Sequence, residues 1–430
     1  MRHPEIDRSL FVTNRERLAK NLKPLSLVVF NSTDVVPVSA DRTHTFLQDT
    51  ELFDLSGIDQ EETILVLCPD AKDKKHQEVL FVKETSKEIA VWEGQKLSKN
   101  EASEVSGIKT VCWTNEFDTI FRQLAFSSDY IYLNTNEHLR AEHAVETREI
   151  RFLKWCKNNF PLHKYERVAP LMHTLRSVKS AAELDLIRHA CQITGKTFER
   201  LLDFIKPGVW EYEIEAEIYH EFLRNRSRGP AYHPVIASGA NSCVLHYIKN
   251  NCQCMENDIL LIDFGAEYSG YASDVTRTIP VNGRFTERQK DVYNAVLRVQ
   301  KAAISMLVTG NKIEEYNRET EKIMVSELIG LGLIDKTDVK NASSEKPAHK
   351  KYFMHGMSHY LGLDVHDYGS KYATLEEGMV FTCEPGIYIK EEGFGIRLEN
   401  DILITANGPV DLTEDIPIEA DEIEEVMTKK

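Results

Sequence analysis

The sequence predicts a mixed α/β protein with two domains, residues 1–170 and residues 171–430. In the first 140 residues, short β-rich runs alternate with helix-like stretches, which favours an α/β domain with a mixed sheet. In the remainder, long helical patterns surround two segments that are typical of β-hairpins. A chain of 430 residues has ample length for two or three domains with large cores.

Composition excludes several classes of protein. The chain is 42% apolar and 28% charged, as is usual for a globular protein. A formal charge of −16 argues against a nucleic-acid partner. The eight cysteines are scattered and are expected to be reduced thiols. The N-terminus has no apolar signal segment, and no apolar run is long enough to cross a membrane. We therefore expect a cytoplasmic protein without a membrane partner.

The N-terminal domain is expected to contain strands, at least one helix and a connector to the second domain. A helix is predicted over residues 115–124, and a charged, helix-compatible connector interrupted at Pro161 is predicted over 137–168. The predicted strands are 25–30, 63–67, 79–82, 89–92 and 130–133.

A strong helix opens the second domain. Ser180 and Glu183 match a capping box, apolar residues follow at helical spacing, and Lys206-Pro207-Gly208 ends the pattern. Further helices are predicted over 211–225, 286–308 and 313–331. Residues 230–247 are expected to form loop and strand, and the polar stretch 335–350 is expected to be an exposed loop.

The segment 258–278 carries the first indication of function. An apolar run ends on Asp263, a turn with Gly270 follows, and Asp274 opens a second β-rich run. This is the pattern of a hairpin with one acid on each arm. A carboxylate at the end of a buried strand is costly without a partner, and a cation is the simplest partner for two of them.

The same arrangement recurs about a hundred residues later. The apolar run 379–383 ends on Glu384, and the strand predicted over 395–405 carries Glu399. Two such hairpins facing each other would gather four carboxylates, which cannot share a site while ionised and unpaired. Two divalent cations would neutralise them, and with His359 as one imidazole the ligand set favours Mn²⁺ and related hard ions. Hydrolysis by a water shared between two metals is the natural chemistry.

The same residues allow other interpretations. Taken singly, an acid at a strand end more often caps a turn than binds a metal. His355 and His359 are four residues apart, but Gly356 stands where a zinc protease of the HExxH type has glutamate. The joint recurrence of the acids in the same strand context favours the metal site.

Four segments together resemble the metallopeptidase family with the pita-bread fold, which includes aminopeptidase P, prolidase and methionine aminopeptidase. They are DFGAEYSGYASDVTRT, HGMSHYLGLDVHD, EPGIYI and GIRLENDILIT. The resemblance covers about residues 175–415 and implies a pseudo-two-fold antiparallel sheet covered by helices. FLQDTELFDLSGI and VWEGQKLS in the N-terminal domain resemble aminopeptidase P and prolidase, which disfavours methionine aminopeptidase.

The resemblance implies a complete set of metal ligands. Asp263 would bind one metal, and Asp274 and Glu399 would bridge two. His359 and Glu384 would complete the second metal, with Glu384 also a candidate proton shuttle for the bridging water. Mn²⁺ is the expected ion, with Zn²⁺, Co²⁺ and Fe²⁺ as alternatives. The intact set counts against a creatinase-like member.

Residues on the substrate side are also carried over from the family. His246 and His366 match histidines that hold the scissile region and stabilise the oxyanion. His355 matches a substrate-side histidine, and Arg397 matches a positioning arginine beside the bridging glutamate. Tyr388 is a candidate for the wall of the site.

The activity that the resemblance implies is that of an Xaa-Pro aminopeptidase, which cleaves between an N-terminal residue and a following proline. The partners would be proline-containing peptides and a second copy of the chain, in a homodimer or a larger homo-oligomer. Prolidase, which takes Xaa-Pro dipeptides, is the alternative; the segment IKEEGFG, residues 389–395, lacks the arginine-bearing insertion of some prolidases. A peptide-binding relative without catalysis is the third hypothesis.

Overall fold

A computed structural model describes residues 4–138, 140–141, 144–343 and 345–429. Residues 139, 142 and 143 of the predicted connector, and residue 344 of the predicted loop, lie outside this description. The chain divides into two compact units, the first ending at Leu175 and the second starting at Arg176. None of the described helices is both long and apolar enough to span a lipid bilayer.

A six-stranded mixed sheet forms the centre of the first unit, with strand order β6-β5-β4-β1-β7-β8. β1 pairs antiparallel with β4 and parallel with β7, which confirms the predicted mixed sheet. The strands of this unit are β1 (Ser26–Asn31), β2 (Pro37–Ser39), β3 (Arg42–Thr43), β4 (Ile64–Leu67), β5 (Glu78–Val82), β6 (Thr110–Trp113), β7 (Tyr130–Leu133) and β8 (Lys164–Arg167). Its helices are α1 (Ser9–Ala19), α2 (Thr50–Ser56), α3 (Lys87–Glu93), α4 (Lys99–Ser106), α5 (Phe117–Ala125), α6 (Arg148–Asn159) and α7 (Ala169–Ser177).

The central strand β1 is buried along its whole length because both faces of the sheet are covered. Val28 and Phe30 belong to the apolar cluster on one face, and Leu27 and Val29 belong to the cluster on the other. Alternation of side chains along a strand produces this division. A strand covered on both faces needs a continuous series of apolar residues, and β1 has such a series, which is why this strand was predictable from the sequence.

One prediction for the first unit was wrong, and another was incomplete. Residues 89–92 form part of helix α3 because the Ser86 hydroxyl accepts a hydrogen bond from the backbone N–H of Ile89 and caps a helix there. The connector over 137–168 contains helix α6 but also strand β8, which pairs with β7 and extends the sheet. Tertiary pairing overrode a pattern that is polar and helix-compatible by itself.

The second unit contains eleven strands and six helices among its described residues. Its strands are β9 (Gly229–Pro230), β10 (Val235–Ser238), β11 (Ile259–Phe264), β12 (Ala266–Tyr268), β13 (Tyr271–Ala272), β14 (Val275–Pro280), β15 (Val380–Cys383), β16 (Gly386–Ile389), β17 (Phe394–Arg397), β18 (Asn400–Thr405) and β19 (Gly408–Asp411). Its helices are α8 (Ala181–Phe204), α9 (Glu211–Arg224), α10 (Glu287–Met306), α11 (Ile313–Gly330), α12 (Lys336–Asn341) and α13 (Ala420–Thr428).

Two antiparallel half-sheets meet in this unit through a backbone bridge. One has the order β10-β11-β14 and the other β15-β18-β19. A bridge between Thr276 of β14 and Glu399, just before β18, joins them. This confirms the predicted pita-bread arrangement with its pseudo-two-fold relation between hairpins.

Helices cover the half-sheets and bury their apolar faces. The capping box of α8 is present as predicted: the Ser180 side chain accepts from the backbone N–H of Glu183, and the Glu183 side chain accepts from that of Ser180. Apolar residues of α8, α9 and α10 share one core cluster with β11 and β15.

The prediction of an exposed loop over 335–350 was partly wrong. A short helix, α12, forms within it because Asp335 and Asp338 cap its first turn reciprocally. Asp335 takes the place that Ser or Thr has in the usual capping box, so the sequence pattern is less evident.

Candidate metal centre and peptidase site

The first hairpin places two carboxylates beside each other. Asp263 is the last residue but one of β11 and lies opposite Thr276 of β14, and Asp274 directly precedes β14. Between them the backbone folds back tightly: a Cβ on Gly265 would lie 1.8 Å from the carbonyl oxygen of Ser273. Only glycine allows this approach, which brings the two acids together.

Tyr232 links these two acids. Its hydroxyl is within hydrogen-bond distance of Oδ1 of Asp263 and Oδ1 of Asp274. Burial and the two neighbouring carboxylates raise the pKa of Tyr232 well above its usual value, so the phenol keeps its proton and donates it. Tyr232 was not among the predicted site residues because a single tyrosine before β10 has no characteristic spacing.

The second hairpin contributes Glu384 and Glu399. Glu384 follows β15, where its backbone N–H donates to the carbonyl of Met357 at 2.9 Å. Glu399 lies between β17 and β18, and its Oε2 accepts from the Thr276 hydroxyl at 2.6 Å. Thr276, the second residue that the sequence analysis missed, therefore orients an acid of the opposite hairpin.

The orientation of His359 suits a metal ligand. Its Nδ1 lies 2.9 Å from the carbonyl oxygen of Tyr360, which places the ring proton on Nδ1. Its Nε2 then points at carboxylates, 3.5 Å from Oδ2 of Asp274 and 3.8 Å from Oε1 of Glu384. A histidine that donates one ring N–H to a carbonyl and frees the other nitrogen is the common form of a metal-bound imidazole.

The residues present fit a metal ion. Ligand atoms of Asp274, His359 and Glu399 all lie within 4.8 Å of one another. Asp263 shares the Tyr232 hydroxyl with Asp274, and Glu384 lies beside His359. All five predicted ligands therefore come together, with the oxygen-rich chemistry that hard divalent ions prefer.

In the absence of a metal ion, the pKa values of several groups in this cluster are raised, so these groups retain protons. Burial raises the pKa of Glu384 to about 7 and raises the pKa values of Glu399 and Asp263, with neighbouring carboxylates adding to the effect. For His359, burial alone would lower the pKa, but Asp274 and Glu384 outweigh it and raise the pKa to about 9. Such shifts mark a site built to hold cationic charge.

Arg397 ties the cluster to the predicted substrate side. Its guanidinium donates to Oδ2 of Asp263, to the hydroxyl of Tyr388 at 3.1 Å and to the hydroxyl of Thr276 at 3.1 Å. Neighbouring Tyr388 and Asp263 outweigh the effect of burial, so the pKa of Arg397 lies above its usual value. The side chain is a fixed positive charge between the hairpins.

His355 is close to both Tyr388 and Glu384. Its Nε2 lies 2.8 Å from the Tyr388 hydroxyl, and its Nδ1 lies 3.6 Å from Oε2 of Glu384. Burial, followed by the charge of Arg397, lowers the pKa of His355 to about 3, so the imidazole is neutral. A neutral ring can donate or accept a hydrogen bond with a peptide group.

The two remaining predicted histidines lie at the rim. The ring of His366 is 4.4 Å from the ring of His359, centroid to centroid. His246 lies near enough to contribute to the lowered pKa of His355. Both side chains are exposed, whereas His359 is half-buried. The arrangement therefore has a deep carboxylate cluster and an accessible row of imidazoles.

Comparisons with known proteins agree over the whole chain. The profile of metallopeptidase family M24 matches residues 185–406, and that of the aminopeptidase P N-terminal domain matches residues 11–132. The chain is 35% identical to Xaa-Pro aminopeptidase from Escherichia coli strain K12, with 98% of each chain covered.

Two solved structures are similar to this chain in both fold and sequence. Zinc-substituted aminopeptidase P from Escherichia coli in complex with product has a TM-score of 0.87 and 34% identity. Aminopeptidase PepP from Pseudomonas aeruginosa has a TM-score of 0.89 and 30% identity. Each comparison covers 99% of this chain and 99% of the other.

Proposed function

The chain belongs to metallopeptidase family M24 and is a metal-dependent aminopeptidase, and from this premise we propose that it is a dinuclear Xaa-Pro aminopeptidase. It would hydrolyse the bond between an N-terminal residue and a following proline. The observation that carries the proposal is the convergence of Asp274, His359 and Glu399 within 4.8 Å, with Asp263 and Glu384 alongside.

The metal ligands are assigned by position. Asp263 would hold one ion, His359 and Glu384 the other, and Asp274 and Glu399 would lie between them. When bound, two divalent ions lower the pKa of a shared water and stabilise the charge that develops on a tetrahedral carbon. We propose Mn²⁺ because four carboxylates and one imidazole form a hard donor set.

Glu384 is the proposed proton carrier. Its Oε1 lies 3.8 Å from Nε2 of His359 and its Oε2 lies 3.6 Å from Nδ1 of His355, so one oxygen could hold the metal while the other takes up and returns a proton. Thr276 and Arg397 would keep Glu399 and Asp263 in place, since each donates to one of these acids. Fixing ligands in advance reduces reorganisation during the reaction.

The histidines would bind the peptide. His355, neutral and close to Tyr388, can hydrogen-bond a substrate carbonyl or amide. His246 and His366, both exposed, are the proposed holders of the scissile group and its oxyanion. The bond before proline has no N–H, so recognition must use the carbonyl and the ring instead.

Several finer points belong to the same proposal. A prolidase must bind the free carboxylate of proline, and residues 389–395 (IKEEGFG) contribute a turn with a lysine but no arginine. This favours the aminopeptidase over the dipeptidase. We also propose a homodimer or larger homo-oligomer, and the cytoplasm as the location.

Hydrolysis of Ala-Pro-Ala beside Ala-Pro tests the proposal. The protein is reconstituted with Mn²⁺, and a chelated sample serves as the control. We expect the tripeptide to be cleaved at its first bond to alanine and Pro-Ala, with little action on the dipeptide and no turnover after chelation.

The other outcomes are equally clear. Preference for the dipeptide would reassign the protein as a prolidase. Inactivity on both peptides, with metal bound, would overturn the proline specificity. Turnover that survives complete metal removal would overturn the metal-dependent mechanism.

A further inference from the structure

Glu211 is a buried acid that the proposed mechanism does not use. It is the first residue of α9 and is fully buried. Its carboxyl accepts four hydrogen bonds, and all four donors belong to residues 238–252, which we call the His246 segment. Oε1 accepts from the backbone N–H of Ser238 at 2.8 Å and from Nδ2 of Asn241 at 3.3 Å; Oε2 accepts from the Tyr247 hydroxyl at 2.8 Å and from the backbone N–H of Cys252 at 2.8 Å.

The His246 segment has little regular structure with which to hold itself. After the end of β10 it contains one short 3₁₀ turn, Gly239–Cys243, and residues 247–251 are in neither helix nor strand. Backbone groups in such a segment need partners outside regular secondary structure. Glu211 supplies an acceptor for two of its backbone N–H groups, at both ends of the segment.

The buried anchor lies next to the exposed histidine. Tyr247, whose hydroxyl donates to Glu211, is buried, and its neighbour His246 is exposed. Holding Tyr247 in the interior therefore fixes the backbone from which His246 projects. Because the peptide bond between the two residues is planar and rigid, a displacement of the Tyr247 backbone would move the backbone of His246 as well.

The opposite side of the segment rests on the strand that carries Arg397. The backbone N–H of Gly395 donates to Oγ of Ser242 at 2.8 Å. A Cβ on Gly395 would lie 2.7 Å from the carbonyl oxygen of Ser242, so the backbones are in close contact. A shift of the His246 segment away from Glu211 would also disturb this contact with β17.

We propose that Glu211 is a positioning residue that holds His246 in its working place through the His246 segment. The inference rests on the proposed function, which assigns His246 to the substrate side. Glu211 does not touch the substrate; it acts through Tyr247 and the two ends of the segment.

The geometry selects an informative substitution. Each oxygen of Glu211 receives one backbone N–H, from Ser238 on one side and Cys252 on the other. In Glu211→Gln, either orientation of the amide would aim its NH₂ group at a backbone donor. The substitution keeps the size of the side chain but removes one anchor, because a donor cannot replace an acceptor there.

The matched control is Glu183→Gln. Glu183 is also a buried acid in the first turn of a helix, and it accepts from the backbone N–H of Ser180 at 2.8 Å and from the Tyr271 hydroxyl at 3.3 Å. Neither of these two partners lies in the His246 segment. Glutamine is tolerated in a capping box, so activity is expected to stay near that of the wild type.

The experiment is a double-mutant cycle on Ala-Pro-Ala hydrolysis by the Mn²⁺-reconstituted protein, with metal content measured for each variant. We expect Glu211→Gln to lower kcat by about 10-fold or more, the scale of a displaced catalytic group, with the bound metal unchanged. In a His246→Ala background, the same substitution should alter kcat by less than about twofold, because residues that act as one unit are not additive.

The remaining outcomes of the cycle each support or overturn the proposed role of Glu211. An equal loss in both backgrounds, or full activity in Glu211→Gln, would overturn the inference while the proposed function stands. A wild type that does not hydrolyse the peptide would overturn the proposed function and the inference with it. If Glu211→Gln does not fold, Tyr247→Phe removes a single donor, and the same cycle applies: loss only when His246 is present supports the inference, and loss in both backgrounds contradicts it.

Discussion

Thr276 on one hairpin and Glu399 on the other are joined twice, once by side chains and once by backbones. The Thr276 hydroxyl donates to Oε2 of Glu399 at 2.6 Å, and the backbone N–H of Glu399 donates to the carbonyl of Thr276 at 3.0 Å. The same hydroxyl accepts from Nε of Arg397. These hydrogen bonds therefore connect the two hairpins at Glu399, a proposed metal ligand, and the position of Glu399 depends on them.

Thr276→Val should weaken the metal site. The substitution leaves Oε2 of Glu399 without its donor and Nε of Arg397 without its acceptor, and loss of such a supporting contact costs about 10- to 100-fold in metal affinity or activity. Metal titration and kcat/KM on Ala-Pro-Ala measure the effect.

Thr278→Val is the control for Thr276→Val. Its hydroxyl also bridges the hairpins, but to the backbone of Arg397, at 3.0 Å and 3.2 Å. Both variants should lose about 1–3 kcal/mol of stability because buried partners are left unpaired. Only Thr276→Val should lose metal; equal metal affinities in the two variants would contradict the role of Thr276.

Glu399→Ala should abolish turnover and reduce the number of bound metal ions while the fold persists. Burial, together with the neighbouring Asp274, Glu384 and Asp263, raises the pKa of Glu399, so the metal-free fold holds this side chain uncharged and does not depend on its charge. Metal analysis and thermal unfolding after chelation test this.

A suitable comparison for Glu399→Ala is Asp411→Asn, since Asp411 accepts from the backbone N–H of Thr413 at 2.8 Å and lies outside the ligand group. That variant should retain its metal and its activity. Full activity of Glu399→Ala under trace-metal control would exclude a bridging role.

Tyr232→Phe should lower metal affinity or kcat/KM by about 10-fold or more, because the lost hydroxyl orients both Asp263 and Asp274. Tyr293→Phe provides the comparison. Tyr293 is buried, and its hydroxyl donates to the carbonyl of Ile418 at 2.7 Å, outside the group of proposed metal ligands. That variant should lose about 1 kcal/mol of stability and keep its activity. Identical behaviour of the two variants would remove Tyr232 from the site.

The stabilisation that metal provides should grow as the pH rises from about 5 to about 9. In the metal-free folded protein, burial raises the pKa of Glu384 to about 7, and Asp274 and Glu384, acting against burial, raise that of His359 to about 9. Raised values mean that the folded state holds more protons than the unfolded chain in this range, so its stability falls as pH rises. A bound metal ion displaces these protons, so the metal-loaded protein does not lose stability in this way as the pH rises.

The measurement is the difference in unfolding temperature between metal-loaded and chelated protein, taken at each pH so that other titrating groups cancel. His359→Gln should flatten the upper part of the curve, above about pH 7, since its own proton is then missing. A difference that is constant from pH 5 to pH 9 would contradict the assignment of the protons to this cluster.

The predictability of the fold differed between elements for physical reasons. The apolar run of β1 and the capping box of α8 were readable because burial and capping depend on local sequence. Residues 89–92 were misassigned because Ile89, Val91 and Trp92 have high strand propensity, and yet two of them are largely exposed on α3. Strand β8 was missed because its polar residues form a strand only by pairing with β7.

The sequence by itself determined the chemistry of the site, because the acids recur in the same strand context and the histidines follow in one motif. Only the tertiary structure decided which other side chains lie in position to support them. Tyr232, Thr276 and Glu211 lie far along the chain from the groups they contact, at separations of 27 to 123 residues. Hydrogen-bond partners across such distances are brought together by sheet pairing and helix packing, and no local pattern records them.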